Sequence, residues 1–422
     1  LNFIQAFESF WTALLEQKLS CSVNPLIWWD LVKTQIKGFC QQYQFFSTRA
    51  DHEVKKILQL EILQLQPVIG QNNSNTQKTL TEKQSLLKEI TERNARGALV
   101  RMRVRHLNEA DVPTKYFFSL QKRLPSKQLS QLRLADSSIT FTQSEIKLFV
   151  KEYFSKIYSM EQINPVSVAS ISVGLPVLCE DGRSQLERPI TLDELGTALH
   201  GLAIGKAPGL DGLTTEFYKK FWHLLGPELL NTLNASCQLG ELPQSCRRAL
   251  LTLIPKKGDM LRIENWRPIS LLCTDYKIFS KALASRLTPY LSSLLKEDQC
   301  YCVPKRSIYD NISLVRDIIE LCKENPKDLG VLLLDQEKAF DRVDHRYLFE
   351  VLERFGLGST FISYIKILYN NIYSVLKINN ELVAPLSINK GLRQGCPLSR
   401  LLYALSIEPL LVSLRCRLTG VS

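Results

Sequence analysis

An aspartate that follows an apolar run is the residue of this sequence with the clearest capacity for chemistry. Asp335 comes directly after four consecutive apolar residues at positions 331–334, a pattern typical of a strand buried on both faces. A carboxylate at the end of a buried strand is costly unless a partner compensates its charge. We therefore expect Asp335 to cap a helix, to be paired within the core, or to bind a cation.

The helix that follows has a better capping residue of its own. Asp344 precedes apolar residues at helical spacing, and Gly356 stands where a left-handed residue would end that helix. A hard divalent cation such as Mg²⁺ binds through one or two protein carboxylates and completes its shell with water and substrate phosphates. This favours a metal as the partner of Asp335.

The residues after Asp335 strengthen this interpretation. They include Lys338, Ala339, Phe340 and Asp341. Together they resemble the first palm motif of reverse transcriptases from non-LTR retrotransposons of the long interspersed element type. In that family the first aspartate ligates two catalytic Mg²⁺ ions, and the aromatic residue five positions later lies under the incoming sugar and excludes ribonucleotides. The resemblance assigns the catalytic and metal-binding role to Asp335 and the sugar-selecting role to Phe340, which would otherwise be interpreted as a core aromatic.

A glycine-flanked glutamine lies further along the chain. Residues 391–399 read GLRQGCPLS, so the backbone can approach a ligand closely and a proline-started helix directs its N-terminus there. This segment resembles the second palm motif, in which the glutamine and glycine pack on the template and the nascent base pair. The resemblance assigns nucleotide and template contacts to Gln394 and Gly395. Arg400 stands where the family more often has proline.

Upstream segments resemble the fingers of the same polymerases. Thr191 and Glu194 form a predicted capping box, and residues 205–212, GKAPGLDG, form a tight glycine-rich loop. Fingers must offer cations to the triphosphate of the incoming nucleotide, which assigns nucleotide binding to Arg267 and Lys256. Arg306 is assigned a template contact.

The sequence lacks part of the expected catalytic set. Two-metal nucleotidyl transfer needs further carboxylates, which the family takes from an aromatic-x-Asp-Asp hairpin after the second palm motif. The sequence contains no Asp-Asp dipeptide, and Asp344 is its last aspartate before the end at Ser422. We therefore expect a partial palm that stops before the hairpin and leaves a sheet edge unpaired. The alternative function is a catalytically inactive RNA-binding remnant.

Composition indicates a globular protein with a polyanionic partner. The 422 residues are 45% hydrophobic and 23% charged, with a formal net charge of +11. No apolar run is long enough to span a membrane. Basic residues interleaved with aromatics precede the polymerase region, where an RNA contact and a solvated basic face are both open. The residues predicted to bind RNA there are Arg101, Arg103, Arg105 and Lys115.

We predict an α+β fold, with right-hand polymerase fingers and a partial palm after a mainly helical N-terminal extension. The expected domains are the basic extension at 1–130, a connector at 131–189, fingers at 190–330 and the partial palm at 331–422. The resemblance implies RNA-directed DNA polymerase activity with two Mg²⁺ ions, an RNA template, a DNA or RNA primer, deoxynucleoside triphosphates and an RNA-bound partner protein. It also implies an intracellular ribonucleoprotein in cytoplasm and nucleus, not secreted. An intron-type maturase fits the GKAPGLDG and NWRPIS segments less well.

Overall fold

The computed structural model describes residues 2–19, 23–66, 74–102, 128–160, 174–324 and 330–417. They fall into two compact units. The first unit comprises Leu1–Phe10 and Gln35–Lys127, and the second comprises Trp11–Thr34 and Gln128–Ser422.

Three long helices open the chain and supply the first unit. They are α1 (Phe3–Leu19), α2 (Pro25–Leu65) and α3 (Ser74–Met102), of which α1 and α2 also contribute residues to the second unit. Within the first unit, the ring of Phe10 stacks on that of Phe39 with centroids 4.5 Å apart. The later turns of α2 run antiparallel to α3, as the ion pairs Lys83–Glu61 and Arg93–Asp51 show, at 2.7 and 2.6 Å. Aromatic contacts and ion pairs thus pack these helices against one another.

The second unit continues with a short hairpin and a helix. The hairpin pairs β1 (Leu132–Arg133) antiparallel with β2 (Ile139–Thr140). Helix α4 (Gln143–Tyr158) follows and buries one side chain in each turn, at Ile146, Val150, Phe154 and Tyr158.

A group of helices precedes the main sheet. Its members are α5 (Glu180–Leu186), α6 (Leu192–His200), α7 (Thr215–Lys220), α8 (Trp222–Leu239) and α9 (Gln244–Arg247). Thr191 caps α6 in the predicted capping box: its hydroxyl accepts from the Glu194 backbone N–H, and the Glu194 carboxylate accepts from the Thr191 backbone N–H.

A four-stranded mixed sheet lies at the centre of the second unit. Its strands are β3 (Arg248–Pro255), β4 (Trp266–Leu271), β5 (Tyr373–Ile378) and β6 (Glu381–Ser387), in the order β4-β3-β5-β6. Strand β3 is antiparallel to β4 and parallel to β5, and β5 is antiparallel to β6. Asn379 and Asn380 form the turn between β5 and β6, with φ of +49° and +69°, as a type I′ hairpin turn requires.

The remaining described helices follow β4 or β6 in the chain. They are α10 (Thr274–Leu287), α11 (Leu291–Leu294), α12 (Ile308–Glu324), α13 (His345–Arg354), α14 (Ser359–Tyr369) and α15 (Ser399–Arg417). Asp344 caps α13 as predicted, because its carboxylate accepts from the backbone N–H groups of Arg346 and Tyr347 at 2.8 and 3.2 Å. None of the described helices has both the length and the apolar composition needed to cross a membrane.

The predicted buried strand at residues 331–334 is wrong for this structure. These residues are irregular and exposed, and Leu333 is 90% exposed. A strand needs a neighbour to take its backbone hydrogen bonds, and among the described residues no strand lies beside this segment. Residues 331–334 are apolar, as recognised. They could form a buried strand only beside a neighbouring strand, and the described residues provide none.

Matched leucine truncations distinguish the two placements. Leu333→Ala should change the free energy of unfolding by no more than about 0.5 kcal/mol, because its side chain is exposed. Leu376→Ala, in the centre of β5 and fully buried, should cost roughly 2–5 kcal/mol. Urea denaturation of both variants measures the difference, and a comparable loss for Leu333→Ala would place residues 331–334 in a buried strand.

Candidate active site

Asp335 lies in the irregular segment that leads to a turn at residues 337–342. The turn closes where the backbone N–H of Asp341 donates to the carbonyl of Lys338 at 2.8 Å, with Lys338 at φ +52°. Asp335 is exposed. Its carboxylate is therefore accessible to a cation and to a substrate.

The ring of Phe340 packs against an aromatic residue of α15. Its ring stacks on Tyr403 with centroids 4.9 Å apart and an interplanar angle of 16°. The Tyr403 hydroxyl donates to Gln336 Oε1 at 2.7 Å, so the same side chain also fixes the residue next to Asp335. Burial and the nearby charge of Asp335 raise the pKa of Tyr403, which keeps the hydroxyl a donor. Tyr403 supports both predicted catalytic positions, and the sequence motif did not single it out.

The loop at residues 391–395 packs directly on this turn. The backbone N–H groups of Gly391 and Leu392 donate to the carbonyls of Val343 and Phe340, both at 2.7 Å. Gly391 has φ +94°, and a Cβ there would lie 2.8 Å from the carbonyl oxygen of Asp341. Only glycine combines this backbone conformation with so close an approach. The two motif segments are thus joined backbone to backbone.

The same loop is also joined to the edge strand β4. The backbone N–H of Ser270 donates to the carbonyl of Gln394 at 2.8 Å. Gly395 has φ +126°, and a Cβ there would lie 2.5 Å from the carbonyl oxygen of Ser270. The structure therefore brings Phe340 close to Gln394 and Gly395, which lie in a distant part of the sequence.

Asp341 is the buried acid at the centre of this arrangement. It accepts from the Tyr158 hydroxyl at 3.0 Å and from Gln394 Nε2 at 3.1 Å. Burial raises the pKa of Asp341 to about 6, against the opposing effects of the Tyr158 and Gln394 hydrogen bonds and of the charges of Lys338 and Lys256. The sequence motif named Asp341 but gave it no role, because its partners come from distant segments.

Arg393 anchors the loop from the inside and was missed by sequence reasoning. Its guanidinium is 3% exposed, lies over the Tyr276 ring at 5.1 Å and donates to the backbone carbonyls of Cys246 and Arg247. A buried guanidinium with specific acceptors holds its backbone in place. The only sequence signal was a charged residue between the glycines of the second motif.

The basic residues assigned to the nucleotide and the template occupy different surroundings. Lys256 follows β3, and its charge acts on Asp341. Arg267 is exposed on β4, opposite Ile254. The terminal nitrogens of Arg306 donate to four backbone carbonyls, of Ser292, Leu295, Lys296 and Gln299, which leaves Nε–H for a further partner. The neighbouring Lys305 has φ +64°, a left-handed conformation that glycine adopts more readily than lysine.

The RNA-binding assignment in the N-terminal extension falls on residues whose side chains lie outside the described part of the structure. Arg103, Arg105 and Lys115 are outside the described residues, and the side chain of Arg101 is as well. Their role stays a prediction.

A buried lysine lies within a cluster of potential metal ligands. Among the described residues, Asp211, Cys273 and Asp275 form a group whose ligand atoms lie within 4.8 Å of one another. Lys33 Nζ lies 3.1 Å from Asp211 Oδ2 and 2.6 Å from Asp275 Oδ2, and Trp29 Nε1 donates to the same Asp275 oxygen at 2.8 Å. Burial opposes both charges, but attraction outweighs it, so the pKa of Lys33 is raised and that of Asp275 is lowered. We interpret the cluster as a buried ion pair.

Comparison with known proteins agrees with the geometry. Residues 254–421 match the family described as reverse transcriptase (RNA-dependent DNA polymerase). The "Transposon TX1 uncharacterized 149 kDa protein" of Xenopus laevis is 42% identical over 397 residues, which are 93% of this chain and 30% of that protein. Residues 254–421 therefore form a reverse transcriptase domain, of the kind found in non-LTR retrotransposons.

More distant relatives are named as a retrotransposon polyprotein and a transposon polymerase. A retrovirus-related Pol polyprotein from the type-1 retrotransposable element R2 of Popillia japonica is 28% identical over 229 residues, 54% of this chain and 31% of that protein. A probable RNA-directed DNA polymerase from transposon BS of Drosophila melanogaster is 23% identical over 220 residues, 51% of this chain and 24% of that protein. The chain spans less than a third of each of these relatives.

The buried ion pair predicts a strong effect of a single charge deletion. Lys33→Met removes the ammonium and leaves two buried carboxylates uncompensated, which should cost roughly 3–5 kcal/mol of unfolding free energy. Lys37→Met, at an exposed lysine of the same helix, should change it by no more than about 0.5 kcal/mol. Adding Asp275→Asn to Lys33→Met should recover part of the loss, as measured by urea denaturation. Equal effects of the two lysine substitutions would contradict the ion pair.

The raised pKa of Asp341 predicts that this residue contributes more to the free energy of unfolding at low pH than at neutral pH. The folded pKa of about 6 exceeds the ordinary 3.8, so the contribution is complete below pH 3.8 and is lost as the pH rises through 6. Asp341→Asn stays neutral, and its stability relative to the parent chain should therefore increase by roughly 1–3 kcal/mol between pH 4 and pH 7.5. Denaturation at a series of pH values measures this, and a difference independent of pH would show that Asp341 has no raised pKa.

Proposed function

We propose that this chain forms the nucleotide-adding region of a larger retrotransposon protein. In the proposed reaction, deoxynucleotides are added to a primer 3′-hydroxyl as directed by an RNA template. The observation that carries this proposal is the junction of the two palm motifs, which places Phe340, Gln394 and Gly395 beside the same turn that follows Asp335.

The proposed function also assigns a role to each segment of the chain. Residues 190–330 act as fingers and residues 331–422 as a partial palm, after an N-terminal extension at 1–130 and a connector at 131–189. The mixed sheet of β3 to β6 supports this because both β4 and the loop after β6 border the site.

Asp335 is suited to hold Mg²⁺. Its carboxylate is exposed and accessible, and Mg²⁺ needs only one or two carboxylates when phosphates and water supply the other ligands. The described residues place no group of three potential ligands around it, so a second ion would draw on other ligands. When bound, the metal stabilises negative charge that develops at the phosphate during transfer.

The side chains of the chain itself bind and orient the reactants. The primer 3′-hydroxyl attacks the α-phosphorus in line and pyrophosphate leaves. Arg267 and Lys256 bind the triphosphate, and Phe340, supported by Tyr403, excludes a 2′-hydroxyl. Gln394 and Gly395 contact the template and the nascent base pair, and Arg306 contacts the template through its remaining Nε–H.

The partners follow from the reaction and from the charge of the chain. They are an RNA template, a DNA or RNA primer, deoxynucleoside triphosphates and an RNA-bound partner protein, within an intracellular ribonucleoprotein of the cytoplasm and nucleus. The net charge of +11 supports nucleic-acid binding, to which Arg101, Arg103, Arg105 and Lys115 contribute.

Primer extension tests the assignments to Asp335 and Phe340. With an RNA template, deoxynucleotides and Mg²⁺, Asp335→Asn should lower incorporation by at least about 100-fold, because a metal-binding charge is lost. Phe340→Ala should retain deoxynucleotide incorporation and increase ribonucleotide incorporation by about 10-fold or more, because the ring no longer meets the 2′-hydroxyl.

Asp317→Asn is the matched control, since Asp317 is an exposed aspartate of α12, and its activity should be unchanged. Incorporation that survives Asp335→Asn would remove Asp335 from the catalytic set. A parent chain that binds RNA without incorporating nucleotide would be the catalytically inactive remnant.

A further inference from the structure

Helix α4 reaches the candidate active site although it precedes the matched residues 254–421. Its last residue, Tyr158, is 5% exposed, and its hydroxyl donates to Asp341 Oδ1 at 3.0 Å. The Tyr158 ring stacks on Phe154 one turn earlier, with centroids 6.1 Å apart, and its backbone carbonyl accepts from the N–H of Asn389 at 3.1 Å. Three contacts therefore fix the position of Tyr158.

The carboxylate of Asp341 transmits this constraint to Gln394. One oxygen accepts from Tyr158, and the other accepts from Gln394 Nε2 at 3.1 Å. An ionised carboxylate only accepts hydrogen bonds, so it binds the NH₂ side of the amide. Gln394 Oε1 is then the acceptor that the side chain offers to another partner.

We propose that Tyr158 is a positioning residue for nucleotide addition, which holds Asp341 so that Gln394 presents its amide oxygen to the nascent base pair. This inference rests on the proposed function of Gln394. It assigns to α4, outside the matched polymerase residues, a part in substrate binding.

The charges around Asp341 favour its ionised form, which is the form that accepts from Gln394 Nε2. Lys338, three residues earlier, donates from Nζ to the hydroxyl of Tyr153, so α4 contacts both charged ends of the turn. Lys338 and Lys256 both favour the ionised carboxylate, as the Tyr158 and Gln394 hydrogen bonds do, while burial opposes it. Burial and the Asp341 charge raise the pKa of Tyr158 well above its ordinary value, which keeps its hydroxyl a donor. A protonated Asp341 could donate to the amide oxygen, which would release the constraint.

Tyr158→Phe tests the hydroxyl alone, because the ring and its stacking on Phe154 remain. Tyr347→Phe is the matched control: it also loses one hydrogen bond, from the hydroxyl to the carbonyl of Ser406 at 2.8 Å. Both are made in the full chain and in its Asp341→Asn variant. The first measurement is the difference in unfolding free energy between chains that retain Asp341 and chains that carry Asp341→Asn, followed from pH 4 to pH 8.

Loss of the Tyr158 hydrogen bond should move the midpoint of this pH-dependent difference upward by about half a pH unit or more, because the bond favours the ionised form. Tyr347→Phe should leave the midpoint unchanged. Equal midpoints for the two variants would overturn the proposal. This measurement needs no catalysis, so it tests the Tyr158–Asp341 contact separately from the proposed function, whose failure would show as a parent chain that does not incorporate nucleotide.

The second measurement is steady-state primer extension. If the parent chain is active, Tyr158→Phe should raise the KM for deoxynucleotide by about 3-fold to 10-fold and change kcat by less than about 2-fold, because a binding group is misplaced. In the Asp341→Asn background the same substitution should have no further effect. An unchanged KM in an active Tyr158→Phe chain would overturn the proposal.

Discussion

Two close backbone approaches hold the candidate active site together. Gly391 lies against the carbonyl of Asp341, and Gly395 lies against the carbonyl of Ser270. A side chain at either position would meet backbone, and both residues have positive φ. Because the contacts join three separate segments, the motif residues form one surface only while these segments remain in contact.

Buried charges keep these segments in place. Arg393 holds the loop of the second motif by donating to the carbonyls of Cys246 and Arg247, just before β3. Lys33 joins a helix near the start of the chain to Asp211 of the glycine-rich loop and to Asp275 of α10. Removing one partner of such a buried pair costs much more than the pair contributes relative to apolar packing. Residues 11–34 are therefore a structural part of the second compact unit, although they lie far in sequence from the matched residues 254–421.

Asp341 carries a cost that a purely structural residue would avoid. Burial disfavours its charge, and the surrounding donors and lysines compensate only in part. Ionisable groups kept in such surroundings are concentrated at functional sites. The raised pKa thus agrees with a role for Asp341 at the site, and the hydrogen bonds to Tyr158 and Gln394 indicate which groups it controls.

Features that depend on neighbouring residues were predictable from the sequence. The Thr191 capping box, the Asp344 cap and the Asn379-Asn380 turn are all present, because each requires only residues within a few positions. The motif residues were likewise identified by order and spacing. Tertiary structure alone decided their partners, since Tyr158 lies 183 residues from Asp341 and Lys33 lies 242 residues from Asp275.

The apolar run before Asp335 shows that a local pattern does not determine burial. The sequence by itself determined that residues 331–334 are apolar and that an acid follows them. Whether such a run is buried depends on a neighbouring strand, which no local pattern specifies, and in this structure the run is exposed. Local chemistry is encoded by adjacent residues, whereas burial and hydrogen-bond partners are decided by segments that meet only in the folded chain.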